Sequence, residues 1–180
     1  MSDLEKEAQP VIRPLMNDIS VPLDRWQQYL IALWTIKTAM VFECTIPARE
    51  RFYSKADRDR LLTAFAPPDG TSMWLGRFER SNLSFIQAVR LFGTIPKANA
   101  PLGEGYVVTF ALARLAIQIL TVRRKPEHRS ARVTLAVKPG PWERKLSQIW
   151  PIKPPMYWPP ARSFSEEGVQ ELCKRFTNPP

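Results

Sequence analysis

Leu23-Asp24-Arg25-Trp26-Gln27-Gln28-Tyr29-Leu30-Ile31-Ala32-Leu33-Trp34-Thr35-Ile36-Lys37-Thr38-Ala39-Met40-Val41-Phe42-Glu43 is the stretch on which the fold turns. Trp26, Leu30, Leu33, Lys37, Met40 and Cys44 recur at alternating four- and three-residue steps, which places them on one face of a helix. Ile31, Trp34, Ala39 and Val41 widen the apolar stripe, so the spacing predicts a helix from about Leu23 to Glu43 that is central to the core. Lys37 is the one charge on that face. A buried ammonium must snorkel, pair or line a cleft, and the structural options are preferred to a catalytic one.

On the N-terminal side, Ser2-x-x-Glu5 reads as a capping box opening a short helix that stops near Pro10. On the C-terminal side, Ser54 and Asp57 suggest an N-cap and a helix to about Phe65, closed by the turn Pro67-Pro68-Asp69-Gly70. The period then changes. Met73–Glu79, Ser84–Leu91, Tyr106–Val122, Ala131–Val137 and Lys145–Ile152 are rich in β-branched and aromatic residues and bounded by Gly or Pro. Tyr106–Val122 is long for one strand, and a bulge or a bend near Ala113-Arg114 accommodates it; helical spacing of Leu112, Leu115, Ile119 and Val122 is the competing reading. Ser163-x-x-Glu166 opens a last helix to about Phe176. Helices, then strands, then one helix define an α+β class: N-terminal helices packed on an antiparallel β-sheet, with a C-terminal helix. The expected organisation is a single domain over 1–180, mainly helical over 1–65, strands and Pro/Trp-rich extended segments over 66–160, helix and tail over 161–180.

The 180 residues carry 18 Pro, 6 Trp and 1 His, with a formal net charge of +9. The charge is uneven. Residues 1–65 are neutral, whereas 123–145 hold Arg123, Arg124, Lys125, Arg129, Arg132, Lys138, Arg144 and Lys145 against only Glu127 and Glu143. Such a strip concentrates polyanions, so these eight side chains are the candidate nucleic-acid contacts, directed at phosphates of DNA or RNA without evident base readout. Nothing in the N-terminus has the layout of a signal peptide, and no apolar run spans a bilayer. The expectation is a cytoplasmic protein without a membrane partner, with Cys44 and Cys173 as free thiols.

Catalytic and metal sets are incomplete. His128 with Cys44, the cysteine expected nearer the core, forms an improbable dyad. One His and two distant Cys do not supply a zinc site, Gly103-Glu104-Gly105 is no phosphate loop, and no acid pair stands out from solvated helix faces. No catalytic residue, metal or cofactor is assigned. Trp142, Trp150 and Trp158 lie among seven prolines between Pro139 and Pro160. A strap with its indoles plugged into the core is preferred to a Pro/Trp docking surface.

Met1-Ser2-Asp3-Leu4-Glu5 with Pro10 and Pro14-Leu15, then Trp34-x-x-Lys37-Thr38-Ala39-Met40-Val41, resemble a family of bacterial HNH-endonuclease-like proteins. The resemblance continues through Trp74-Leu75-Gly76-Arg77, Gly105-Tyr106-Val107-Val108-Thr109, Ile149-Trp150-Pro151 and Trp158-Pro159-Pro160. In that family the metal-binding His and Asn and the zinc cysteines precede this region, and no residue here matches them. The resemblance implies a non-catalytic companion domain, whether a truncated relative, an internal-start product or a half whose partner is a separately encoded HNH module. The alternative is a protein-interaction or self-association module using the Pro/Trp-rich surface.

Overall fold

The computed structural model describes residues 3–79, 84–95, 100–124, 136–137 and 140–177. The Leu23–Glu43 helix forms as α2, Arg25–Phe42, opened by a capping box in which Asp24 Oδ1 accepts from Gln27 N–H at 2.8 Å and Gln27 Oε1 accepts from Asp24 N–H at 2.9 Å. Its burial is broader than a single stripe. Gln28, Ile31, Ala32, Thr35, Ile36 and Ala39 are buried as well as Leu30, Leu33 and Met40. Three members of the expected apolar stripe are exposed instead, Val41 among them at 56%. Trp26 is 57% exposed in the first turn, and Cys44 is exposed beyond the last. It is Cys173 that is buried; both thiols are free, and burial pushes the Cys173 thiol up.

The first helix does not stop at Pro10. α1 runs from Asp3 to Met16 through both Pro10 and Pro14. Ala8, Ile12 and Leu15 are buried on one side, while Pro10 is exposed and Pro14 half-buried. The carbonyls that lose a donor therefore lie towards water, and the packing of Ala8, Ile12 and Leu15, four and three residues apart, outweighs two absent hydrogen bonds. The α2 face bearing Lys37 meets α1, since Lys37 Nζ pairs with Glu5 at 2.5 Å. Snorkelling is not required.

A five-strand path runs in the order β3 (Ser84–Ile95), β4 (Ala100–Leu112), β5 (Leu115–Arg124), β2 (Thr71–Phe78), β7 (Leu146–Trp150), antiparallel throughout. Tyr106–Val122 is thus neither one strand nor a helix but the core of a hairpin. Its two-residue loop falls at Ala113-Arg114, where the bend was expected, with Leu112 opposite Leu115. Ala113 adopts φ 53, a conformation that costs a residue with a Cβ. The loop is gripped on both sides: Arg114 N–H donates to Met16 O at 3.2 Å and Phe78 N–H to Arg114 O at 2.8 Å. The turn before β2 needs a true glycine. Gly70 has φ +76, and a Cβ there would lie 2.2 Å from Val122 O.

α3 (Lys55–Thr63) begins at Ser54, whose hydroxyl accepts from Asp57 N–H. The last helix, α5 (Glu166–Cys173), is capped by Ser165 and not Ser163; Ser163 belongs to β9 (Ser163–Phe164), which pairs in parallel with β2. Phe176 lies beyond the helix in β10 (Phe176–Thr177), paired with β6 (Ala136–Val137). α1 and α2 cover one sheet face over Met73, Leu75, Val108, Ile117 and Ile119. α5 and the short α4 (Trp142–Lys145) cover the other, over Ala111, Ala116 and Leu146.

The Pro-rich stretch is a strap. β8 (Met156–Trp158) pairs with β1 (Val21–Leu23), Trp158 is 1% exposed, Trp142 is buried and Trp150 packs against the main core. Gln28 fastens it: its buried amide donates to Leu23 O at 3.1 Å and Pro154 O at 3.2 Å, and accepts from Lys153 N–H at 3.0 Å. Replacing Gln28 by Ala orphans three backbone groups, so Gln28→Ala is expected to lower unfolding stability by about 2–4 kcal/mol. A loss under 1 kcal/mol in denaturant titration would contradict this role.

Candidate functional site

A polar cluster lies where α2, α3 and one end of the sheet meet. Glu43, at the C-terminus of α2, is fully buried. Its carboxylate accepts from Phe52 N–H at 2.7 Å and Tyr53 N–H at 3.0 Å, faces Arg58 at 3.6 Å and receives the Tyr106 hydroxyl. Phe52 stacks on Tyr106 with centroids 4.9 Å apart, and the Arg123 guanidinium lies 4.2 Å over the Phe52 ring. Arg123 also donates to Phe52 O at 2.6 Å, and pairs with Asp57. Behind it, Tyr53 Oη, Thr121 Oγ1 and Thr71 Oγ1 form a buried chain at 3.2 and 3.0 Å. An open cavity of about 450 Å³ lined by Phe42, Ile46, Arg49, Ala88, Arg90 and others adjoins Tyr106.

This cluster has the residue types of an active site but not its readiness. Burial raises the Tyr53 and Tyr106 hydroxyls well above the usual tyrosine range, and the nearby Glu43 charge pushes both the same way. Neither is a base at neutral pH, and the Glu43 oxygens are occupied by donors. Arg90 is likewise engaged, donating to Glu50 O at 2.6 Å. The groups are consumed in holding the Phe52–Tyr53 segment against the sheet.

Sequence reasoning grouped Arg123 with the basic strip. The structure places it in this cluster, tied to Asp57 and Phe52, with its side chain 28% exposed. The pairing joins residues 66 positions apart, and no local pattern discloses it. Arg124 ends β5 opposite Gly103. Arg144 is exposed on α4, and Lys145 is half-buried with its ammonium 5.1 Å over the Phe164 ring. Lys125, His128, Arg129, Arg132 and Lys138 lie outside the described residues. The described members sit at two ends of the sheet: Arg123 and Arg124 beyond Thr121, which faces Thr71, and Arg144 and Lys145 before Leu146, which faces Gly76. Thr71 and Gly76 are five residues apart on β2, about 17 Å, and both pairs of cations lie outside that span.

The Pro/Trp stretch keeps little indole at the surface, leaving Tyr157 and Ile152 as its exposed apolar side chains. Sequence reasoning also missed an aromatic patch. Trp26 and Tyr29 have ring centroids 5.3 Å apart, and Tyr29 Oη donates to Phe65 O at 2.6 Å beside an exposed Phe65 ring. Trp26 falls on the apolar face by its spacing, and that spacing does not disclose its exposure.

Among the described residues no three His, Cys, Asp or Glu side chains gather to hold a metal, and no helix is long and apolar enough to cross a membrane. No family model, curated protein or solved structure gives a significant match to the chain.

Two outcomes test the cluster. Glu43→Ala strands Arg58 and two backbone amides, so a loss of about 3–5 kcal/mol is expected in denaturant unfolding; a loss below 1 kcal/mol would show the carboxylate to be idle. The raised tyrosines set an alkaline limit. The unfolded chain releases both protons near the ordinary value of 10.0 while the folded chain retains them, so their contribution is complete below that pH and is lost as pH rises above it. Two of the 4 tyrosines should therefore ionise, by absorbance, only together with unfolding. Smooth titration of all four in the folded protein would refute the assignment.

Proposed function

We propose that this chain is a non-catalytic companion domain of an HNH-nuclease-like protein, binding nucleic acid by its phosphates through the basic run that follows β5. The observation that carries the reading is the charge of residues 123–145, eight cations against two anions. Its described points trace a path from Arg124 at one end of the sheet, past β6 on β10, to Arg144 and Lys145 at the other. Those points lie more than about 17 Å apart, room for at least some five phosphates at about 3.4 Å of duplex axis each. Arg123 is excluded from the contact set, leaving Arg124, Lys125, Arg129, Arg132, Lys138, Arg144 and Lys145. The saturated Glu43 cluster supports a non-catalytic role, and the resemblance to HNH-endonuclease-like proteins supports the pairing with a separately encoded HNH module.

Binding through about four phosphate contacts gives a slope of log affinity against log salt of roughly −3 to −4 on duplex DNA. Fluorescence anisotropy at several salt concentrations should show this, largely independent of sequence. The double variant Arg124→Glu/Arg129→Glu should weaken every sequence alike and flatten the slope, whereas Arg123→Ala should lower stability and leave the slope intact. Absence of binding in low salt, or indifference to the double reversal, would overturn the reading and favour a protein-interaction module.

A further inference from the structure

β3 is an edge strand with the sequence of an interior one. Ser84–Ile95 runs Ser-Phe-Ile-Gln-Ala-Val-Arg-Leu-Phe-Gly-Thr-Ile, with no proline and one charge, Arg90. Its apolar side chains serve both faces of the sheet. Ile86 and Ala88 pack on the core beneath α1 and α2, Phe85 and Val89 on the clusters of the opposite face. A run apolar on both faces suits a strand inside a sheet, yet among the described residues β3 pairs with β4 alone. Phe85, Ile86, Ala88 and Val89 are left half-buried. The opposite edge is better guarded, since β7 has 5 residues and meets Pro151 directly. β3 has 12, and its register shifts only at Gly93/Thr94. Ser84–Phe92 therefore lacks the prolines, bulges and clustered charges that keep an edge from pairing.

The phase of the neighbouring hairpin fixes which backbone groups face outward. Leu112 and Leu115 flank a two-residue loop and bond to each other, so the alternate residues of β4 turn towards β3. Val122, opposite Gly105, agrees with this phase, because its N–H donates to Gly70 O on the β2 side. In β3 the bonds to β4 accordingly come from Phe85, Gln87, Val89 and Leu91. The N–H and C=O groups of Ile86, Ala88 and Arg90 point away from the sheet.

An occupant of this edge must bring a strand that is apolar on both faces, and β3 is itself such a strand. Antiparallel pairing about Ala88 uses the whole of Ser84–Phe92, stops short of the register shift and sets Arg90 opposite the partner's Ile86. The two Arg90 side chains then lie about 13 Å apart along the strands, whereas a two-fold at Arg90 would set like charges face to face. Directly opposed side chains share a face. The partner's Ile86 is therefore brought beside the open cavity of about 450 Å³ that Ala88 and Arg90 line with Phe42 and Ile46.

We infer that β3 is the interface of a two-fold dimer, in which two copies of this chain pair antiparallel about Ala88 and join their five-strand paths into one sheet. The inference stands apart from the phosphate-binding reading, because none of the proposed phosphate contacts lies on β3.

Sedimentation velocity over a range of concentrations should show a reversible dimer, and hydrogen exchange should find the amides of Ile86, Ala88 and Arg90 protected only where the dimer forms. Ala88→Pro removes an N–H that β4 does not use, so the folded monomer should persist by circular dichroism. Self-association should weaken at least about tenfold, because the two-fold removes both bonds of the central pair. Ile86→Lys and Ile86→Glu cost the monomer alike, but lysine repels the partner's Arg90 and glutamate attracts it. The lysine variant should dimerise about tenfold less tightly than the glutamate variant, since the two-fold presents that pair twice. A monomer at every concentration overturns the inference, whether those amides exchange freely or are shielded by another part of the chain. Self-association that Ala88→Pro leaves intact belongs to another surface and overturns it as well. Should Ala88→Pro fail to fold, equal dissociation constants for the two Ile86 variants would overturn the pairing.

Discussion

The buried carboxylate of Glu43 is the constraint on which the rest of this structure depends. A charge withdrawn fully from water is tolerated only when its lone pairs are filled, and here they are filled by groups from three places in the chain. Two backbone amides bring Phe52 and Tyr53 to the end of α2, Arg58 brings α3, and Tyr106 brings the sheet. One side chain thus fixes how the helical N-terminal part sits on the strands. The Phe52 ring, held by this bond, becomes the surface on which Arg123 rests.

Arg123 shows why net charge and accessible charge differ. Counted by sequence it is the first member of a cationic run; in space it is a strut between Asp57 and the Phe52 carbonyl. The guanidinium suits this work because its planar fork donates in two directions while its face covers an aromatic ring. Arg175 repeats the device on the opposite face of the sheet. It lies 4.5 Å over Trp74 and donates to the buried Gln118, and burial lowers its guanidinium to about 10. A basic composition is therefore in part an internal framework of arginines on aromatic rings.

The elements most legible in the sequence were those set by local chemistry. α2 and the Ser54 cap formed within two residues of expectation, the Pro67–Gly70 turn formed, and the break at Ala113-Arg114 fell where Tyr106–Val122 was too long for one strand. What escaped was decided by partners distant along the chain. Pro10 and Pro14 read as stops because helix propensity counts a missing donor but not the burial of Ala8, Ile12 and Leu15. The two cysteines exchanged places because Cys44 follows the helix rather than lying in it, while Cys173 falls on the inward side of α5. Ser163 and Ser165 both precede a glutamate-rich turn, and strand pairing with β2 selects which one caps. The candidate site followed the same rule. The charge of 123–145 was countable, but the Arg123 pairing and the exposure of Trp26 depended on the assembled chain.

The two prolines of α1 have a consequence for how the fold breathes. α1 lacks two of its internal hydrogen bonds, so its place on the protein depends on Ala8, Ile12 and Leu15, and an opening excursion would lift it from α2. What that excursion uncovers is the Lys37 face of α2, with Leu30, Leu33 and Met40 around a cation that has lost Glu5. The lone charge on that face then acts as a gatekeeper, interrupting an apolar surface at the moment when it could adhere to another chain.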